Sequence, residues 1–173
     1  MELDNIYFYT ATIKDWKPLL SKDSYKEVLI ESLRFLTQSG KLIVYGFVIM
    51  PNHFHIIWEM LTLNGKELPH TSFMKFTSHV IFKDIKASNP GLLSDFKVLS
   101  VSRSHNIWMR HSLPIHLYSD KFILQKLTYI HNNPLQEHWR LAERPEDYKY
   151  SSARFYETGI DEFGILTHIG ERI

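Results

Sequence analysis

Two histidines separated by a single residue, His53 and His55, lie in the stretch Met50-Pro51-Asn52-His53-Phe54-His55-Ile56-Ile57-Trp58. In a β-strand, residues two apart share a face, so both imidazoles project together and Phe54 points the other way. Two imidazoles side by side on a rigid strand make half of a metal site. The same pattern also arises where each histidine is only hydrogen-bonded or solvated, so the rest of the chain has to decide between these readings. A second informative stretch is Leu127-Thr128-Tyr129-Ile130-His131-Asn132-Asn133-Pro134. On a helix Tyr129 and Asn133, four apart, share a face. If His53 and His55 hold a metal, Asn133 can add an oxygen ligand, and the Tyr129 hydroxyl would lie close by as a nucleophile. The alternative for Tyr129 is a half-buried ring with its hydroxyl in water, and the chain has nine tyrosines to which that applies.

The elements that must position these residues can be read from periodicity. Asn5 to Ile13, rich in β-branched and aromatic residues, reads as a buried strand. From Ser21 to Ser39, Tyr25, Val28, Leu29, Leu33 and Leu36 recur at helical spacing, and Gly40 follows as a stop. Lys41 to Met50 is an almost continuous apolar run, read as a central strand. Pro51-Asn52 then turns the chain into the strand His53 to Met60, making an antiparallel hairpin. Thr71 to Ala87 carries Phe73, Phe76, Val80 and Ile81 at helical spacing, ended by Asn89-Pro90-Gly91. Leu92 to Ser104 has no clear period. A fourth strand is expected within Ile107 to Tyr118, with Pro114 awkward inside it. Asp120 is expected to cap a further helix whose buried stripe is Ile123, Leu127 and Ile130, ended or bent at Asn132-Asn133-Pro134. A loop at Arg144 to Tyr148 and a short helical stretch near Ser151 to Tyr156 follow. This order predicts an α+β, ferredoxin-like sandwich, an antiparallel central sheet with helices on one face.

The totals narrow the class. The 173 residues suit one domain, expected to span 1–153, with 154–173 as a C-terminal tail. Hydrophobic residues make up 44% and charged residues 23%, the balance of a soluble globular protein. Aromatics reach 14%, which leaves some free for stacking. The net charge of +1 is low for a nucleic-acid binder, although it does not report clustering. With no cysteine, disulfides and thiolate metal sites are excluded, so any metal must sit on histidine, carboxylate, amide or water. No apolar run reaches membrane-spanning length and no charged-then-apolar leader opens the chain, so no membrane partner is expected and the expected location is cytoplasmic.

The two stretches together resemble a known family. Met50-Pro51-Asn52-His53-Phe54-His55 is similar to the His-hydrophobic-His motif of the single-tyrosine HUH transposases. Tyr129-Ile130-His131-Asn132-Asn133-Pro134 resembles the tyrosine helix of their REP-associated (IS200-like) branch. Arg144-Pro145-Glu146-Asp147-Tyr148-Lys149-Tyr150-Ser151-Ser152 resembles the segment that follows there. The likeness runs from the first strand to about Ala153. It implies a ferredoxin-like fold and cleavage and rejoining of single-stranded DNA beside a hairpin. Tyr129 would become linked to a 5′-phosphate, leaving a free 3′-hydroxyl. A divalent metal, Mg²⁺ or Mn²⁺, would polarise the phosphate, held by His53, His55 and Asn133.

The residue types suit that chemistry on independent grounds. Phosphodiester transfer needs a nucleophile and a charge-neutraliser on the non-bridging oxygens. A tyrosine ionises near pH ~10 in isolation, so it needs a cation or base nearby. Neutral nitrogen and oxygen ligands leave the ion's charge undiminished, and imidazole suits Mn²⁺ at least as well as Mg²⁺. Arg110, Lys126, Arg140 and Lys149 are candidate phosphate contacts, with simple solvation the alternative for each. Trp108 and Trp139 could stack on bases or fill the core. His131 neighbours Tyr129 in sequence but points away from it on a helix. His105, His111 and His116 read as surface or strand residues. Two other functions remain open at this level: a domesticated hairpin-DNA-binding protein without cleavage activity, and a metal-dependent hydrolase with a water nucleophile. A homodimer that places one chain's tyrosine beside its partner's histidines is also compatible with the sequence.

Overall fold

The structure, a computed structural model, describes residues 1–96, 106–109 and 114–173. Arg110, His105 and His111 lie outside the described residues. Four antiparallel strands carry the fold: β1 (Ile6–Thr12), β2 (Leu42–Ile49), β3 (His53–Met60) and β4 (Ile115–His116). Their order across the sheet is β2-β3-β1-β4. Helix α1 (Asp23–Gln38) joins β1 to β2, and α2 (Pro69–Ser88) lies between β3 and β4. This is the split β-α-β arrangement of a ferredoxin-like sandwich. Helix α3 (Asp120–Asn132) and the short α4 (Ala153–Thr158) follow.

Alternation along β3 separates two cores. Phe54, Ile56, Trp58 and Met60 face α1 and α2, where Leu29, Ile30, Leu33, Phe73, Ile81 and Ile85 bury against them. Ile57 faces the other way, with Ile6 and Phe8 of β1 and the stripe Ile123, Leu127, Ile130 of α3. His53, His55 and Glu59 share that second face by the same period. The ferredoxin-like class therefore holds, with one correction. Only α1 and α2 lie on one face, and α3 covers the opposite one. The reason is that β3, an inner strand, is apolar on one side and histidine- and isoleucine-bearing on the other, so both sides need a cover.

Two local features bring α3 close. Between Val44 and Gly46 the β2–β3 register shifts, a bulge that leaves Tyr45 as the extra residue and sets Gly46 opposite Ile57 on the α3 face. Gly46 then lies under the helix. A Cβ there would sit 2.6 Å from Leu127 Cδ1 and 3.1 Å from Ile130 Cδ1. The helix begins at Ser119 rather than at the expected Asp120 cap. The Ser119 side chain accepts from the Phe122 amide, and Asp120 is the first helical residue. Asn133-Pro134-Leu135 continues as a single 3₁₀ turn, as expected where a proline cannot extend the ladder.

The expected fourth strand runs partly through residues outside the described ones. Among the described residues Ile115 and His116 pair with β1, opposite Phe8 and Tyr7. Trp108 also meets the end of β1, through an Ile13–Trp108 bridge, and the Met109 amide donates to the Thr12 carbonyl at 2.7 Å. The C-terminal segment after residue 153 is built into the fold. Leu166 bridges Val44, Ile165 and Ile169 are buried, and Arg172 forms an ion pair with buried Glu59 at 3.1 Å. Tyr45 Oη donates to the same carboxylate at 2.7 Å.

Candidate active site

His53 and His55 occupy the start of β3, both nearly fully buried. Their ring centroids are 4.7 Å apart. Each has one nitrogen engaged from behind. Thr10, directly across the β1–β3 ladder from His55, places its hydroxyl 2.7 Å from His55 Nδ1. Asn52 Oδ1 is 2.6 Å from His53 Nδ1, and since a carbonyl oxygen only accepts, His53 Nδ1 donates and its Nε2 keeps a lone pair. Contacts of this kind set the tautomer and ring orientation of metal-binding histidines.

Burial pushes His53 down to about 4, helped by the charge of His138 and opposed by the Asn133 amide. Burial likewise pushes His55 down to about 3, with His53 and Lys126 adding to it. Both imidazoles are therefore neutral at pH 7, the state in which a ring nitrogen can bind a metal. His55 Nε2 and Asn133 Oδ1 are buried without any hydrogen-bond partner. Buried polar atoms are almost always partnered, so two orphaned atoms, one on the imidazole packed against His53 and one on the amide that reaches His53, fit a cation. Among the described residues no group of three or more histidine, aspartate and glutamate side chains could hold a metal. The Asn133 amide is the neighbouring oxygen donor that reaches His53.

Tyr129 stands over this pair from α3. Its ring is 5.3 Å from the His55 ring and 6.2 Å from Phe8, and the residue is 45% exposed. Phe8 in turn stacks on His55 at 5.3 Å. Lys126, one turn before Tyr129, carries its ammonium 4.9 Å above Phe8 and 5.6 Å from the Tyr129 ring. An acceptor pair, an amide, a phenol and a cation thus meet in one chain, on two elements more than sixty positions apart.

The other candidates disperse. His131 points away from Tyr129 and binds Ser152 Oγ at 2.9 Å, against Tyr156. Ser152 also accepts from the Phe47 amide at 2.9 Å, so His131 helps tie α3 to β2. Arg140 pairs with Glu137 at 3.3 Å on the surface next to Trp139. Lys149 sits with Glu27 of α1 and with Tyr150, across the sheet from the histidines. Trp108 is a core residue whose Nε1 donates to Thr77. His116 leans on Tyr7 in β4. Three residues at the site are not singled out by the sequence. Thr10 needs the strand register to be noticed, and Asn52 stands in the histidine motif with no sign of its contact to His53. Trp16, 6.3 Å from His53 at ring centroids, follows a segment that reads only as a strand end.

No family model and no curated protein matches the sequence. Among solved structures, the REP-associated tyrosine transposase bound to a REP hairpin superposes with a TM-score of 0.62. The match covers 97% of this chain and 88% of that one at 16% identity. The chain has the fold of a REP-associated tyrosine transposase. At that identity the likeness speaks for the fold, and its extent takes in the C-terminal segment as well as the ferredoxin-like part. No described helix is long and apolar enough to cross a membrane.

Proposed function

We propose that this protein is a single-stranded DNA transposase of the REP-associated tyrosine type, with Tyr129 as nucleophile. The observation that carries the reading is the placement of Tyr129 over His55, whose Nε2 is buried without a partner. The shared fold supports it, as does the hairpin DNA in the superposed transposase.

In the proposed reaction Tyr129 Oη loses its proton to solvent and bonds to the scissile phosphorus. The bond from phosphorus to the 3′-oxygen breaks, and that oxygen leaves as a hydroxyl after taking up a proton. The product is a phosphodiester between Tyr129 and the 5′ end of the DNA. A 3′-hydroxyl attacking the same phosphorus displaces Tyr129 and rejoins a strand, so bond energy is conserved without a nucleotide cofactor. A divalent cation, Mg²⁺ or Mn²⁺, held by His53, His55 and Asn133 would neutralise the non-bridging phosphate oxygens. Thr10 and Asn52 orient the two imidazoles, and Lys126 adds positive charge at the nucleophile's edge. Because α3 and β3 belong to one chain here, a monomer contains both halves of the site.

The test is incubation of the protein with hairpin-bearing single-stranded DNA from its own host element and Mn²⁺. A covalent protein–DNA band on a denaturing gel is expected, lost in Tyr129→Phe and after chelation. An adduct that survives Tyr129→Phe refutes the assignment. Hairpin binding without any adduct would favour the domesticated binding protein instead.

A further inference from the structure

Two indoles approach the outer histidine from different parts of the chain. The Trp139 ring is 6.0 Å from the His53 ring and the Trp16 ring is 6.3 Å from it. Trp16 follows β1 and is 58% exposed, an unusual position for the largest apolar side chain unless something covers it. Trp139 lies in the turn after α3 and is half-buried.

The backbone is strained at Trp16 and at the residue after Trp139. Among the described residues only four non-glycine residues have positive φ: Asp4, Asp15, Trp16 and Arg140. Three of the four are Trp16, its neighbour Asp15 and the residue after Trp139. Trp16 has φ 55° and Asp15 φ 56°, and a bulky residue in that region is a true outlier. Such strain persists only where surrounding contacts hold it, and it concentrates at binding and catalytic sites. Here the holding contact is identifiable. Asn52 donates from Nδ2 to the Trp16 carbonyl at 3.3 Å while its Oδ1 accepts from His53 Nδ1. One amide thus fixes the strained tryptophan relative to the histidine.

We propose that Trp16 and Trp139 form a stacking site for one unpaired nucleobase, that of the nucleotide on the 5′ side of the cut. The proposal rests on the transposase reading above. Stacking on an indole face is open to any base, which suits a position defined by the chemistry rather than by sequence. The polarity follows from the geometry of displacement. Attacking and leaving oxygens lie roughly in line through phosphorus. Tyr129 packs on His55, whereas the tryptophans pack on His53. The leaving 3′-oxygen, and the nucleotide that carries it, therefore run toward Trp16 and Trp139.

The first measurement is binding, in EDTA so that no chemistry intervenes. The probes are a single-stranded oligothymidylate of about ten residues, within the usual site sizes for single strands, and an abasic phosphodiester chain of the same length. Trp16→Ala and Trp139→Ala should each weaken oligothymidylate binding about fivefold or more and leave abasic-chain binding unchanged. Trp16→Phe, which keeps a π face, should restore most of the affinity. Circular dichroism spectra matching wild type exclude misfolding, and should Trp139→Ala misfold, exposed Trp16 alone decides the point. Wild-type protein that binds both probes equally, or alanine variants that lose both equally, overturns the stacking site. The second measurement uses the mapped cleavage position. One abasic nucleotide 5′ of the cut should slow adduct formation in wild type but not further in Trp16→Ala. Slowing by an abasic nucleotide on the 3′ side alone overturns the assignment. Failure of the stacking site leaves the Tyr129 adduct intact, whereas failure of the transposase reading removes the adduct and leaves the binding comparison readable.

Discussion

Gly46 is where the position of the nucleophile can be perturbed without touching the site. In Gly46→Ala the new methyl would lie 2.6 Å from Leu127 Cδ1, 3.1 Å from Ile130 Cδ1 and 3.3 Å from Ser152 Oγ. Carbon atoms prefer about 3.5–4.0 Å, so the contact with Leu127 is short by roughly 1 Å. Leu127 and Ile130 are buried between α3 and the sheet, leaving little room to rotate. The clash is therefore relieved mainly by lifting the middle of α3, the turn that carries Tyr129. Overpacking of this kind costs about 1–3 kcal/mol. Replacing glycine in a strand returns about 0.5–1 kcal/mol of backbone entropy. A net loss of about 1–2 kcal/mol predicts a melting temperature lower by about 2–8 °C for a chain of this length. Catalysis should suffer more, because a displacement of about 1 Å at a reacting group can cost ~100-fold in rate. Adduct formation is followed on denaturing gels at 25 °C, where the variant remains folded, with thermal unfolding measured in parallel. Leu127→Val removes the clashing methyl, so the double variant should be more stable and faster than the two single changes predict. Additive behaviour, or a Gly46→Ala protein with wild-type adduct rate, refutes the claim that this close approach sets Tyr129.

The same geometry makes two further predictions. Thr10→Val removes the hydroxyl 2.7 Å from His55 Nδ1 at nearly constant volume. Mn²⁺ affinity by calorimetry should fall about 10–100-fold with the fold intact, and an unchanged affinity would show that Thr10 does not orient the ligand. Acid should destabilise the metal-free protein. Burial is the largest cause holding His53, His70 and His131 near about 4 and His55 near about 3, below the ordinary 6.5. The unfolded chain then binds more protons between pH 6.5 and about 4, so stability is complete above pH 6.5 and falls as pH drops through that window. Each histidine should cost about 2 kcal/mol by about pH 5. Urea unfolding from about pH 7 to about pH 5 measures this, and a flat profile would contradict the burial of the four imidazoles.

Much of the architecture was legible because it is local. Helix α1, strands β1, β2 and β3, and helix α2 all appear within a few residues of their expected ends, since alternation and helical spacing act over one or two turns. The shared face of His53 and His55 follows from the pleat alone. The differences have two sources, a competing local contact and a distant partner. The α3 cap falls on Ser119 because its hydroxyl, not the Asp120 carboxylate, meets the Phe122 amide, a choice made within one turn. His131 points away from Tyr129 as helical geometry expects, but that its partner is Ser152, twenty-one positions away, is not legible in the sequence. Lys149 went to α1 because Glu27 is there to pair with it.

By itself, then, the sequence determined the element types, the paired imidazoles and the presence of a tyrosine on a late helix with an amide just past its end, all properties of local pattern. Tertiary structure alone decided that α3 crosses the face opposite α1 and α2, through the β2 bulge and the bare surface of Gly46. It decided that Tyr129 meets His55 in the same chain, that Thr10 and Asn52 orient the imidazoles, and that a strained Trp16 reaches His53. These are contacts between segments far apart in sequence. They depend on strand register and on close packing, and no local pattern of residues encodes either.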